Sequence, residues 1–150
     1  MIKQVFVTAL TDVVPASQAS QDSPGDLRIE NGKVYKYVKF TGTTNVAAGD
    51  VVCYTTAADG VTVDGANTAN GAGVAMAAVA SGSAQNGWIL VEGLVTLSTA
   101  FAGTSPAVGN NVTTAGATAP AVTKAAAVTD LIVGSIHHVA NKIMMAAFPR

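Results

Sequence analysis

The sequence predicts an all-β fold: a small, compact β-barrel with an internal two-fold repeat, an extended N-terminal arm and at most one short helix. Three observations carry that expectation. The first is an echo, in which Ala48-Gly49-Asp50-Val51-Val52 leading to Gly73-Val74-Ala75-Met76-Ala77-Ala78 recurs about sixty residues later. The second copy is Val108-Gly109-Asn110-Asn111-Val112 leading to Val133-Gly134-Ser135-Ile136-His137-His138. The second observation is Asn31-Gly32, set between two β-prone runs, and the third is the alternation of short β-branched runs with glycine turns along the rest of the chain. A period near sixty used twice is too long and too few for a solenoid, so the echo reads as a duplication within one domain.

Residues 4–10 are apolar and β-prone, and Thr11 to Asp26 is rich in Ser, Gln, Asp and Pro. This pattern predicts a short sticky strand on a flexible arm over residues 1–26, ahead of a domain over 27–150. Sixteen extended residues reach about 50 Å, enough to lay the strand on a neighbouring molecule's sheet edge. Next, Leu27-Arg28-Ile29-Glu30 and Lys33 to Phe40 flank Asn31-Gly32, the pair that favours a type I′ hairpin turn. A two-residue loop sets Glu30 opposite Lys33, Ile29 opposite Val34 and Arg28 opposite Tyr35. Leu27, Ile29, Val34, Val38 and Phe40 then share one face with Lys36. Arg28, Glu30, Lys33, Tyr35, Tyr37 and Lys39 share the other, which suits a solvated face held by cross-strand pairs, a protein contact, or a base-stacking surface.

Further along, Val51 to Tyr54, Val61-Thr62-Val63, the small-residue run Gly73 to Ala80 and Trp88 to Leu97 read as strands separated by turns at Asp59-Gly60, Asp64-Gly65 and Ser81 to Gly87. Gly93 inside the last run marks a bend or bulge. Trp88 is expected to anchor either the core or a subunit contact. The second half repeats the plan, with a short helix expected over Lys124 to Leu131 and a final strand from Lys142 to Phe148.

Composition limits the functions available. At 150 residues the chain can bury one sizeable core. Charged residues are 11% of it, against about 25% in an ordinary soluble domain. A net charge of −1, with no Lys or Arg between Lys39 and Lys124, argues against general nucleic-acid binding. A neutral surface is better matched to packing against protein. No apolar run approaches the length of a membrane helix, and the apolar start is interrupted by Asp12, unlike a secretory signal.

No catalytic constellation is legible, and neither an enzymatic activity nor a cofactor nor a bound metal is expected. Cys53 is the only cysteine and reads as a buried apolar residue of a strand. His137 and His138 are adjacent and so point to opposite faces of a strand, one packed and one exposed. Asp59, Asp64 and Asn67 lack the spacing and terminal Glu of a calcium loop.

Taken in order, Gly49-Asp50-x-Val52, Asp59-Gly60, Gly73-Val74-Ala75, Trp88-Ile89-Leu90-Val91-Glu92-Gly93, Val108-Gly109, and Val133-Gly134 before a terminal apolar strand resemble the head-decoration, or capsid cement, proteins of tailed bacteriophages over residues 40 to 149. That resemblance implies a compact β-barrel or β-tulip domain, assembled as a homotrimer on the outside of an icosahedral head and stabilising it by bridging major capsid protein subunits. It also implies localisation to the virion exterior, after assembly in the host cytoplasm. The sequence departs from the family at His137-His138 and in its longer, more polar arm. Expected contact residues are Ile2, Val5, Phe6, Val7 and Leu10 of the arm, Arg28, Lys33, Tyr35, Tyr37 and Lys39 of the hairpin face, and Trp88. A secreted or surface-displayed β-domain, acting as adhesin or array subunit, is the alternative, and a single-strand nucleic-acid binder using the Tyr35 and Tyr37 face is a third.

Overall fold

A computed structural model describes residues 8–18, 22–55, 60–62, 70–114, 121–127 and 129–149. The strands are β1 (Val13–Pro15), β2 (Leu27–Glu30), β3 (Lys33–Phe40), β4 (Val51–Tyr54), β5 (Gly60–Thr62), β6 (Gly71–Ala75), β7 (Gln85–Thr96), β8 (Asn111–Thr114), β9 (Val122–Lys124), β10 (Gly134–His138) and β11 (Ile143–Ala147). They form one sheet in the order β2-β3-β5-β4-β6-β7-β11-β10-β8-β9. A further β3–β7 ladder closes β3, β5, β4, β6 and β7 into a barrel.

From β5 to β9 this order is mirrored about the β7–β11 seam, and the reason is the repeat. In the first unit Val51 pairs with Val74 across β4 and β6, and in the second Asn111 pairs with Ser135 across β8 and β10. The turns that lead in carry the same bonds. Gly49 N–H donates to Ala75 O at 2.8 Å and Ala75 N–H to Asp50 O at 2.9 Å. Their counterparts are Gly109 N–H to Ile136 O at 2.8 Å and Ile136 N–H to Asn110 O at 2.9 Å. Both glycines sit at positive φ, 89° and 84°, where a Cβ would be strained.

The repeat also begins earlier than the echo. Phe40-Thr41-Gly42 corresponds to Phe101-Ala102-Gly103: Thr41 N–H donates to Val61 O at 3.0 Å, and Ala102 N–H to Val122 O at 2.8 Å. The β3–β5 pairing is parallel, as is the bridge from Ala102 to Thr123 of β9. The second unit thus follows the first unit's circuit: β7 meets β11, then β10, β8 and β9, and β9 returns to the segment that follows β7. Strand β7 serves twice, as the last strand of one unit and the first of the next.

The hairpin turn is as expected, with Asn31 and Gly32 at φ 50° and 72° and Glu30 opposite Lys33. The two faces of β3 depart from expectation. Val34, Val38 and Phe40 are buried, but so are Tyr35 and Tyr37, because β3 is a wall of the barrel with packed residues on both sides. Leu27 and Ile29, expected on the core face, are exposed, because among the described strands β2 pairs with β3 alone and lies at the end of the sheet order.

No helix occurs among the described residues. Over the span where one was expected, Lys124 to Leu131, Lys124 ends the strand Val122–Lys124, and the Asp130 carboxylate closes a turn by accepting the N–H groups of Ala126 and Ala127 at 2.8 and 2.9 Å. The small residues of β6 are needed for close approach. A Cβ on Gly73 would lie 2.7 Å from Leu90 O, and one on Gly71 would lie 3.0 Å from the side chains of Phe148, Thr114 and Val133 of the second unit. The described part of the arm lies on its own domain. Val13, Val14 and Pro15 pair with Gly87, Asn86 and Gln85 of β7.

Candidate interaction surfaces

The residues expected to make contacts are dispersed. Ile2, Val5, Phe6 and Val7 lie outside the described residues. Leu10 is half-buried and packs on the chain's own core. Trp88 is 1% exposed, its ring 4.9 Å from that of Tyr37 and inclined at 57°, so it anchors the core of the first unit.

Arg28 lies over this pair, with its guanidinium carbon 5.9 Å from the Trp88 ring centre. It bonds Glu30 at 2.6 Å and donates to Thr8 O at 3.1 Å. Trp88 therefore gains a cation over its face, and the chain's N-terminal stretch is clamped to β2. Burial pushes the Tyr35 phenol above its ordinary pKa, with Glu30 adding to the rise and Arg28 opposing it. With Tyr35 and Tyr37 both inside, this chain presents no aromatic pair there on which bases could stack. Of the expected hairpin face, Lys39 is exposed, Lys33 and Arg28 are half-buried, and Tyr35 and Tyr37 are buried, so the two aromatic side chains are not available at the surface.

The apolar surface lies elsewhere. Leu94 and Met145 face each other across the β7–β11 ladder, and both are exposed. Beside them is an open groove of about 560 Å³, lined by Lys33, Ala48, Met76, Leu94, His137 and Ile143 among others. It sits where the two units meet. Val108, Leu131 and Ile132 of the second unit add further exposed apolar side chains. The alternation of Ile143, Met144, Met145 and Ala146 in sequence implied two faces for β11, but gave no sign that the face with Met145 would be left uncovered.

His137 and His138 are both exposed, contrary to the expected alternation, because the β10–β11 register shifts between Ile136 and His138. His138 Nδ1 accepts the Asn141 N–H at 3.1 Å. Among the described residues no group of three His, Cys, Asp or Glu side chains is placed to hold a metal. Cys53 is buried.

No family model matches the sequence, and no curated protein matches it significantly. Among solved structures, the fold is similar to the N base of head fiber gp8.5 in bacteriophage phi29, with a TM-score of 0.53 and 15% identity, over 77% of this chain and 94% of that one. At that identity the likeness concerns the fold, which this chain shares with the base of a phage head fiber.

Proposed function

We propose that this chain is a structural protein of a phage head, which binds the outside of the capsid as a homotrimer and stabilises it by bridging major capsid protein subunits. The observation that carries the reading is the fold shared with a head fiber base over nearly all of that chain's length. Composition agrees with it. Few charges and an uncovered apolar seam at Leu94 and Met145 suit burial against protein. Three modest contacts per trimer act as one binding event, because the second and third form at high effective concentration. The role is binding, without catalysis, a cofactor or nucleic acid, on the virion exterior after assembly in the host cytoplasm.

The test has two parts. Light scattering on the purified chain should give about three times 14.9 kDa. Mixed with heads of the phage that encodes it, stripped of surface proteins, the chain should co-sediment saturably and raise the temperature at which the heads break. Failure to bind stripped heads refutes the reading, and binding as a monomer refutes only the trimer.

A further inference from the structure

The groove between the units has a counterpart in the first unit, and that counterpart is covered. Asn111, Ser135, Met145 and Leu94 lie in register across four paired strands, as Val51, Val74, Leu90 and Tyr35 do in the first unit. Two residues along the same ladders, Ile143 and Thr96 correspond to Trp88 and Tyr37. Close approaches agree with this match: a Cβ on Gly73 would strike Leu90 O and the Ile89 side chain, and one on Gly134 would strike Met145 O and the Met144 methyl. In the first unit Tyr35, Tyr37, Trp88 and Leu90 are at most 5% exposed, with Arg28 over Trp88. In the second, Leu94 and Met145 are 38% and 42% exposed, and Leu94, Thr96 and Ile143 line the groove.

Among the described lining residues only Lys33 and His137 are ionisable, and none is acidic. A projection of matching character stands at the far end of β10. Asp130 precedes Leu131 and Ile132, both exposed, and the N–H groups of Ala127 and Ala126 hold its carboxyl below the ordinary carboxylate range. It is therefore charged at neutral pH. Ile132 and His137 are five residues apart on nearly extended chain, about 17 Å, so projection and groove occupy opposite ends of β10 within one molecule. A contact between them joins molecules head to tail, and head-to-tail contacts form a ring when the rotation closes.

We propose that Asp130, Leu131 and Ile132 of one copy dock in the groove of the next, with the carboxylate against Lys33 and the two apolar side chains on Leu94 and Ile143. This contact is the interface of the trimer proposed above, and it rests on that reading. The open face of the second unit then receives from a neighbour the cover that the first unit takes from its own chain. Val108 and Met145, outside the contact, are left for the shell.

Light scattering on the full chain over a dilution series tests this, with circular dichroism as the check on folding. Leu131→Asp, at an exposed site, and the charge reversals Lys33→Asp and Asp130→Lys should each weaken the trimer about ten-fold or more, because a mismatch replaces opposite charges and apolar contact. The double variant K33D/D130K pairs opposite charges again and should recover most of the lost affinity. Any of the three single variants that keeps the trimer affinity of the unmodified chain overturns the contact and leaves the trimer standing. A double variant no tighter than the single ones does the same. An unmodified chain that is monomeric throughout overturns both the contact and the trimer.

Discussion

Asp50 and Asn110 occupy the same place in the two units, and their difference makes the repeat testable. Asp50 is buried at 7% exposure. One carboxylate oxygen accepts the Ala47 N–H at 2.7 Å, and the other accepts the hydroxyl of Ser98, which follows β7. Ser98 N–H in turn donates to Gly49 O at 2.9 Å. The side chain thus both closes its own turn and ties that turn to the strand shared by the two units. Asn110 is half-buried and keeps only the first function, accepting the Ala107 N–H at 3.1 Å.

Asp50→Ala removes two hydrogen bonds to a charged acceptor, each worth about 1.5–3 kcal/mol, and one donor, Ala47 N–H, keeps access to water. The expected loss is about 2–4 kcal/mol. Asn110→Ala removes one neutral bond near the surface, for about 0.5–1.5 kcal/mol. At about 2–4 °C per kcal/mol for a chain of this size, calorimetry should separate the two variants by several degrees. Urea unfolding followed by Trp88 emission supplies the free energies. Asp50→Asn, which retains one acceptor, should fall between. Equal losses at the two positions, or a loss under about 1 kcal/mol for Asp50→Ala, would refute the assignment of Asp50 as a tie between turn and shared strand.

Trp88→Ala empties the centre of the first unit and should cost about 3–5 kcal/mol, measured by circular dichroism in denaturant; a loss under about 1 kcal/mol would mean the ring is not the anchor. Gly134→Ala drives a Cβ into Met145 O and the Met144 methyl, and because a strand backbone must move, a loss of about 1–3 kcal/mol is expected in urea titration. The raised pKa of Tyr35 sets an alkaline limit. Its contribution is complete below the ordinary value of 10.0 and is lost as pH rises through the higher folded value, so stability should decline above about pH 10. Tyr35→Phe should flatten part of that decline, and an unchanged slope would show that Tyr35 does not titrate late.

Much of the fold is written in local chemistry, and that part was legible. Asn31-Gly32 names its own turn, and the Gly-Asp and Gly-Asn steps mark positions where positive φ is required. The earlier half of the repeat was harder to see, since Phe40-Thr41-Gly42 and Phe101-Ala102-Gly103 share only a phenylalanine and a glycine. Their equivalence shows in the parallel pairing each makes with a distant strand. The faces of β3 misled for a related reason. Alternation tells which residues share a side, but whether one side or both are packed depends on β7 lying alongside with Trp88, and that is a long-range fact. The same limit hid the contact surface. A run such as Ile143 to Ala147 looks alike whether its outward side chains meet another layer or nothing.

The two units share a circuit but not a coat, and this difference orients the molecule in the proposed role. The first unit carries β1 along β7, the β2–β3 hairpin and the Arg28 clamp over Trp88. Among the described residues the second unit has no equivalent of these additions. Of the seven large hydrophobic side chains exposed among the described residues, five belong to the second unit or its half of β7: Leu94, Val108, Leu131, Ile132 and Met145. The other two, Leu27 and Ile29, lie on β2. In the proposed role, the second unit, where most of the exposed apolar side chains among the described residues lie, is the end that meets the capsid. Since β7 runs through both units, a load on that end passes into the packed core around Trp88 rather than into a linker. In a protein that holds a shell together, contacts therefore belong on the second unit, and the aromatic hairpin supplies the rigid backing.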